Sequence, residues 1–149
     1  MVEIREAQLK DFESIYHLNC EEMGYKYSQE DTKKNLSKLL ERKCDKILVV
    51  TKDDEVIGYI HANDYELIYA PPMKNIMGIA VFTKYKKQGI GKLLLSGIEE
   101  WAKETGAKGV RLVSGSSRVG AHEFYHHCGY SGDKQQLNLK KYVDGSASF

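Results

Sequence analysis

The chain has 149 residues, 42% of them hydrophobic and 29% charged. That size can bury a core without disulfide or metal staples, and the composition is ordinary for one globular domain. The formal net charge is only +1, so no global field draws the protein to nucleic acid or a membrane surface, and any anion site has to be local.

Val2 and Ile4 alternate with charged residues, which predicts a short first strand. Leu9, Phe12, Ile15, Tyr16 and Met23 recur at helical spacing, with Gly24 as a natural stop. Ser28 followed by Asp31 resembles a capping box and opens a second helix, whose apolar face is Leu36, Leu39 and Leu40. Residues 47–50 and 56–60 flank the polar turn Asp53-Asp54-Glu55 and read as a hairpin. Pro71-Pro72 breaks the chain and forbids helix. Residues 76–82 read as a strand buried on both faces. After Gly91, the stripe Leu93, Leu94, Ile98, Trp101 and Ala102 has the helical period and ends near Gly106. Residues 110–113 are a strand. Ala121, Phe124, Tyr125 and Cys128 predict a short helix stopped by Gly129, and Leu137, Leu139 and Tyr142 a closing strand. The expected order is β-α-α-β-β-β-α-β-α-β, one α/β domain over 1–149 with a mixed sheet and a frayed tail at 144–149.

Cys20, Cys44 and Cys128 are odd in number, far apart and without a CxxC pair, which argues against a disulfide framework or a zinc site and fits a reducing compartment. No apolar segment follows the N-terminus, and none approaches the ~18–20 residues of a membrane helix, so a cytoplasmic location is expected. His122, His126, His127 and Cys128 lie together, but neighbours on one short helix point apart. No metal site is expected there.

The segment Lys86-Lys87-Gln88-Gly89-Ile90-Gly91-Lys92 sits between a strand and a helix. Small residues there let a diphosphate approach the backbone, and the free N–H groups and dipole of the first helical turn face it. Two rival readings fail on spacing. A P-loop needs glycine at position 86 and a hydroxyl at 93, where Lys86 and Leu93 stand. A dinucleotide fingerprint needs glycine at 94, where Leu94 stands, and belongs near a first strand. A nucleic-acid site would rest on Lys86, Lys87 and Lys92 alone, without a basic-aromatic stripe.

Residues 86–91 resemble the Gln/Arg-x-x-Gly-x-Gly/Ala signature of the GNAT N-acetyltransferases, with Lys86 at the first place. Ala121-His122-Glu123-Phe124-Tyr125 with Cys128-Gly129-Tyr130 is similar to the A-x-x-F-Y-x-x-x-G-F/Y segment of that family, with Arg118 where many members have Asn. Val56-Ile57-Gly58-Tyr59 looks like the third strand of the family. The resemblance spans roughly residues 2 to 143, in order. It implies the GNAT fold, a mixed, mostly antiparallel twisted sheet splayed at the centre and flanked by helices. Acetyl-coenzyme A would enter the splay. Ile79, Ala80 and Val81 would pair with its pantetheine arm as an added strand, and the segment from Lys86 and Lys87 through Gln88, Gly89, Ile90, Gly91 and Lys92 would hold its pyrophosphate.

Transfer of acetyl to an amine needs a neutral amine, a fixed N–H for the thioester oxygen and a proton for the departing thiolate. The resemblance implies Tyr125 as proton donor. A backbone N–H at Val81 is the expected oxyanion partner. Residues 76–81 contain no carboxylate, so no base is assigned. Glu21, Glu22, His61, Asp64 and Glu66 are open candidates beside direct attack by a neutral amine. Tyr25 and Tyr27 are candidate walls of the acceptor pocket. The expected activity is acetyl-coenzyme A-dependent transfer to a primary amine of a small molecule or peptide in a ternary complex. The alternative is a non-catalytic coenzyme A sensor of the same fold. Neither needs nucleic acid or membrane as partner, and a homodimer is compatible with the family.

Overall fold

The computed structural model describes residues 1–146, so the last three residues of the expected tail lie outside the described residues. Contacts divide the chain into two compact units, Met1–Val113 and Ser114–Phe149.

The first unit holds one five-stranded sheet. Its strands are β1 (Val2–Glu6), β2 (Asp45–Lys52), β3 (Glu55–Leu67), β4 (Ala70–Val81) and β5 (Val110–Leu112), in that spatial order. The first three pairings are antiparallel and β4–β5 is parallel, the mixed, mostly antiparallel sheet expected. A 3-10 turn (Leu9–Asp11) leads into α1 (Phe12–Glu21), followed by α2 (Gln29–Leu40). The Ser28 hydroxyl caps α2 by accepting the Asp31 amide at 3.0 Å. The β2–β3 turn uses Asp53 and Asp54 at φ 51° and 68°, the left-handed pair whose twist matches a two-residue hairpin.

Each face of the sheet has its own cover. On one, Ile15, Leu18 and Leu36 of α1 and α2 cluster with Ile47, Val49, Val56, Tyr59 and Ala80. On the other lies α3 (Ile90–Glu104), with Ile90, Leu94, Leu95, Ile98, Trp101 and Ala102 buried. Gly97 lets α3 approach closely, since a Cβ there would come 2.6 Å from Leu48 Cδ1 and 3.0 Å from Ile4 Cδ1. At Gly58 an added Cβ would crowd β4 first, 3.0 Å from the Ala80 carbonyl oxygen and 3.2 Å from Val81 Cγ2.

Two strands differ from expectation. β3 and β4 form one long hairpin that runs through Pro71 and Pro72. Proline is tolerated at the start of a strand, and here β5 joins β4 only from Lys74 onward, while the Pro72 carbonyl still accepts Lys108 N–H at 2.8 Å. β4 is also not buried on both faces: Ala80 is buried, Ile79 and Val81 are half-buried, and Met77 is 57% exposed.

The second unit contains α4 (Val119–His127). Its end folds back through Gly129 at φ 94°, with the Tyr130 amide donating to the Tyr125 carbonyl at 2.9 Å. The expected closing strand is not formed. Residues 131–142 have no strand geometry, and Leu137 and Leu139 are exposed. An alternating Leu-x-Leu pattern makes a strand only where a neighbour supplies the ladder, and no pairing among the described residues reaches it.

Candidate active site

The expected donor-binding residues are continuous with β4. Pairing with β5 covers only Lys74 to Ile76, opposite Val110 to Leu112. From Gly78 to Val81, β4 stays paired with β3, while from Met77 onward, among the described residues, no strand pairs with its other edge. The start of this open stretch is a bulge. Gly78 lies opposite His61 and Ile76 opposite Ala62, which leaves Met77 as the extra residue.

β4 then runs through a 3-10 turn (Thr83–Tyr85) into the glycine-rich loop. Lys87 has φ 63° and Gly89 has φ 81°. Gly89 is the N-cap of α3 and offers no side chain to its amides. The first α3 amide bond runs from Leu93 to the Gly89 carbonyl at 3.0 Å, so the amides of Ile90, Gly91 and Lys92 face outward as unmatched donors. The space over Gly89 is open, with nothing within 4 Å of an added Cβ. Outward helix-start amides of this kind are the material from which backbone anion sites are made. Lys86 differs from its neighbours, since its ammonium pairs with Glu22 at 3.5 Å.

Glu22 has a set of partners that only the fold reveals. It stands just past α1 and accepts the Thr83 amide at 3.0 Å and the Thr83 hydroxyl at 2.7 Å. Burial opposes its ionisation, but Thr83 and Lys86 outweigh that and hold its pKa below the ordinary value. One of the candidate bases is thus bound to the loop as its brace. Glu21 pairs with exposed His17 at 3.2 Å. Asp64 pairs with buried Lys74, whose ammonium lies 3.8 Å from the Trp101 ring centroid on the α3 side.

The opposite face, beneath α1, carries a second set of groups. Tyr59 and His61 point to one side by strand alternation, the side of Ile47 and Val49. Tyr59 is buried and donates to Asn19 Oδ1 at 2.6 Å. Burial pushes its pKa up to about 12 against the pull of Asn19, so the hydroxyl keeps its proton at neutral pH. A Cβ at Gly78 would come 3.4 Å from the Tyr59 hydroxyl. His61 Nε2 lies 2.6 Å from Asp45 Oδ2. Further along, Arg111 donates to Asn75 and stacks 4.1 Å from the Tyr65 ring centroid. Asn19, Tyr59, Asp45 and Arg111 were not singled out by sequence, since nothing local marks them. Tyr25 and Tyr27 are exposed in the α1–α2 connection; the Tyr27 hydroxyl accepts Asn35 Nδ2 at 3.0 Å.

Tyr125 belongs to the second unit. Its ring is buried, 5.2 Å from Phe124 and 6.3 Å from Tyr130 between centroids. Burial raises its pKa despite the opposing pull of Arg118, which favours the protonated form a donor needs. His126 and His127 are exposed, and His122 Nε2 lies 2.8 Å from the Gly115 carbonyl. No trio of His, Cys, Asp or Glu among the described residues is placed to hold a metal, and no helix among them is long and apolar enough to cross a membrane.

Comparison with known proteins bears on the family and the fold. The sequence model of the family described as "Acetyltransferase (GNAT) family" matches residues 12–130. An aminoalkylphosphonate N-acetyltransferase of Salmonella typhimurium is 31% identical over 133 residues, covering 86% of this chain and 84% of the relative. Among solved structures, an aminoglycoside acetyltransferase from an uncultured soil metagenomic sample superposes with TM-score 0.82 at 22% identity, covering 95% of this chain and 96% of that one. The aminoglycoside enzyme AAC(6')-Iy, bound to a coenzyme A bisubstrate analogue, gives TM-score 0.85 at 14% identity over 96% of this chain and 99% of that one. At such identities these two likenesses bear on the fold alone.

Proposed function

Because the chain belongs to the acetyltransferase (GNAT) family, and is therefore an acyltransferase, we propose that it moves acetyl from acetyl-coenzyme A to a small primary amine in a ternary complex. One observation supports this above the others. The β4 edge left open from Met77 to Val81 runs directly into a loop that presents three unmatched helix amides. An extended amide-bearing arm pairs with the first, and a diphosphate with the second.

The roles follow from the chemistry. Ile79, Ala80 and Val81 supply the added-strand pairing. Gln88, Gly89, Ile90, Gly91 and Lys92 hold the pyrophosphate, with Lys86 and Lys87 adding positive charge at its rim. From Val81 back to Met77 is four strand steps, about 13 Å at ~3.3 Å each. The arm's pantoate, β-alanine and cysteamine units equal about four residues of extended chain. The thioester then ends at the bulge, beside Gly78. That moves the oxyanion donor from Val81, where sequence reading put it, to an N–H of the bulged stretch. The proton for the departing thiolate is assigned to Tyr125 on the resemblance of its own segment to that of the family.

For the acceptor we propose an aminoalkylphosphonate as the first candidate. The Salmonella relative bears that name, and Arg111, a bidentate anion partner by nature, shares the sheet face of Tyr59 and His61. The test is thiol release with 2-aminoethylphosphonate and an aminoglycoside, alongside heat protection by acetyl-coenzyme A. Protein that gains no protection and releases no thiol sinks the proposal. The absence of a carboxylate on residues 76–81 motivates a second reading, a coenzyme A sensor, which would be protected yet show no turnover.

A further inference from the structure

We infer that His61, oriented by Asp45, is the base that takes the proton from the acceptor amine. The inference rests on the acetyltransferase reading above and fills the role that the strand sequence left vacant.

Three observations point to it. First, register: His61 is the β3 residue paired with Gly78, the glycine beside which the thioester ends. Its side chain shares the face of Tyr59 by strand alternation, and a Cβ at Gly78 would meet only the Tyr59 hydroxyl, at 3.4 Å, which leaves that floor open on the His61 side. Second, orientation: Asp45 Oδ2 lies 2.6 Å from His61 Nε2. The Asp45 side chain is 1% exposed and that of His61 16%. Asp45 is itself fixed by Arg42 Nε at 3.1 Å and by the Cys44 thiol at 3.2 Å, both on Oδ1. A carboxylate so held keeps the proton on Nε2 and leaves Nδ1 with its lone pair, the arrangement that makes an imidazole a directed base. Third, of the rival carboxylates, three are engaged elsewhere, and exposed Glu66 lines a pocket with Asp64, Lys74 and Trp101 on the α3 side. Glu22 braces Thr83, Glu21 pairs with His17, and Asp64 pairs with Lys74 on the α3 side.

The step balances as follows. Nδ1 of His61 accepts one proton from the ammonium and later releases it to solvent. The amine lone pair forms the C–N bond at the thioester carbon. The C–S bond breaks with its electron pair on sulfur, and the second proton shed by nitrogen is balanced by the one that reaches the thiolate. Charged and titratable groups sharing this face are Asp45, with Arg42 and Cys44 on it, Arg111 on β5, and Tyr59 and Tyr65. Asp45 acts through His61 and is a positioning residue.

The experiment compares wild type with His61→Gln, using 2-aminoethylphosphonate or whichever amine of the panel turns over fastest. The variant is expected to lose ~10²- to 10⁴-fold in kcat/KM near neutral pH. The loss should shrink as pH rises toward the acceptor's own pKa, with heat protection by acetyl-coenzyme A unchanged. A variant within about twofold of wild type, the residual of a dispensable base, overturns the inference, as does a loss that is the same at every pH. If the variant does not fold, wild type decides alone. With a true enzyme base, the acid limb of kcat/KM stays fixed across amines of different pKa. A limb that tracks each amine overturns the inference. Wild type unprotected by acetyl-coenzyme A would overturn the acetyltransferase reading itself, and this inference with it.

Discussion

The two ends of β4 build their sites from different materials. At the C-terminal end, the open strand edge, left-handed Gly89 and the first amides of α3 form a cradle made almost wholly of backbone. At the bulge end, the floor is bare glycine and the groups around it are side chains. Tyr59 and His61 come from β3, Asp45 from β2, Asn19 from α1 and Arg111 from β5. On the proposed function, backbone would recognise what every coenzyme A has in common, and side chains would discriminate among amines and move protons. Damage at one end should therefore appear in donor affinity, and damage at the other in turnover.

The largest expected effect tests the turnover side. Tyr125→Phe should lower kcat by ~10²- to 10⁴-fold, the span of a lost general acid, while isothermal titration shows unchanged acetyl-coenzyme A affinity. A parallel fall in affinity would make Tyr125 a packing residue. On the donor side, Gly89→Val places a β-branched residue at φ 81°. Strain of ~1–3 kcal/mol should weaken acetyl-coenzyme A binding by about tenfold to a hundredfold, with kcat at saturating donor nearly intact.

A smaller effect follows from Glu22. Its pKa is lowered in the fold, so its bracing of Thr83 is present above the ordinary glutamate value and is lost as pH falls through the lowered one. Acetyl-coenzyme A affinity should fall at acid pH in wild type. In Glu22→Gln this pH step should vanish, leaving a constant deficit of ~1 kcal/mol. The smallest effect is at exposed Lys87. Lys87→Ala should cost ~0.2–1 kcal/mol of donor affinity, and the difference should fade in high salt as screening removes it. A deficit that ignores salt would mean that Lys87 matters for its left-handed backbone, not its charge.

The same contrast explains what could be read in advance. Helices announced themselves through periodic burial: of the stripe expected in α3, Leu94, Ile98, Trp101 and Ala102 are all buried. Ser28 capped its helix as its spacing suggested. β3 and β4 run longer than the strands expected at 56–60 and 76–82 and join as a hairpin, because proline at a strand's start breaks helix without breaking the sheet. The closing strand at Leu137 and Leu139 failed because alternation states a preference, while a ladder needs a partner.

Sequence by itself pointed to the proposed donor end. A left-handed position at a helix start demands glycine, and that demand is local, so residues 86–92 show it in one glance and pair it with the Phe124-Tyr125 segment. Only the tertiary structure brought together the groups of the proposed acceptor end. Which side chain faces Gly78 depends on register, on the extra residue Met77 and on strand alternation from Tyr59 to His61. Asp45 reaches His61 across 16 positions of chain. Register is set by the packing of both sheet faces together, and no short run of residues contains it.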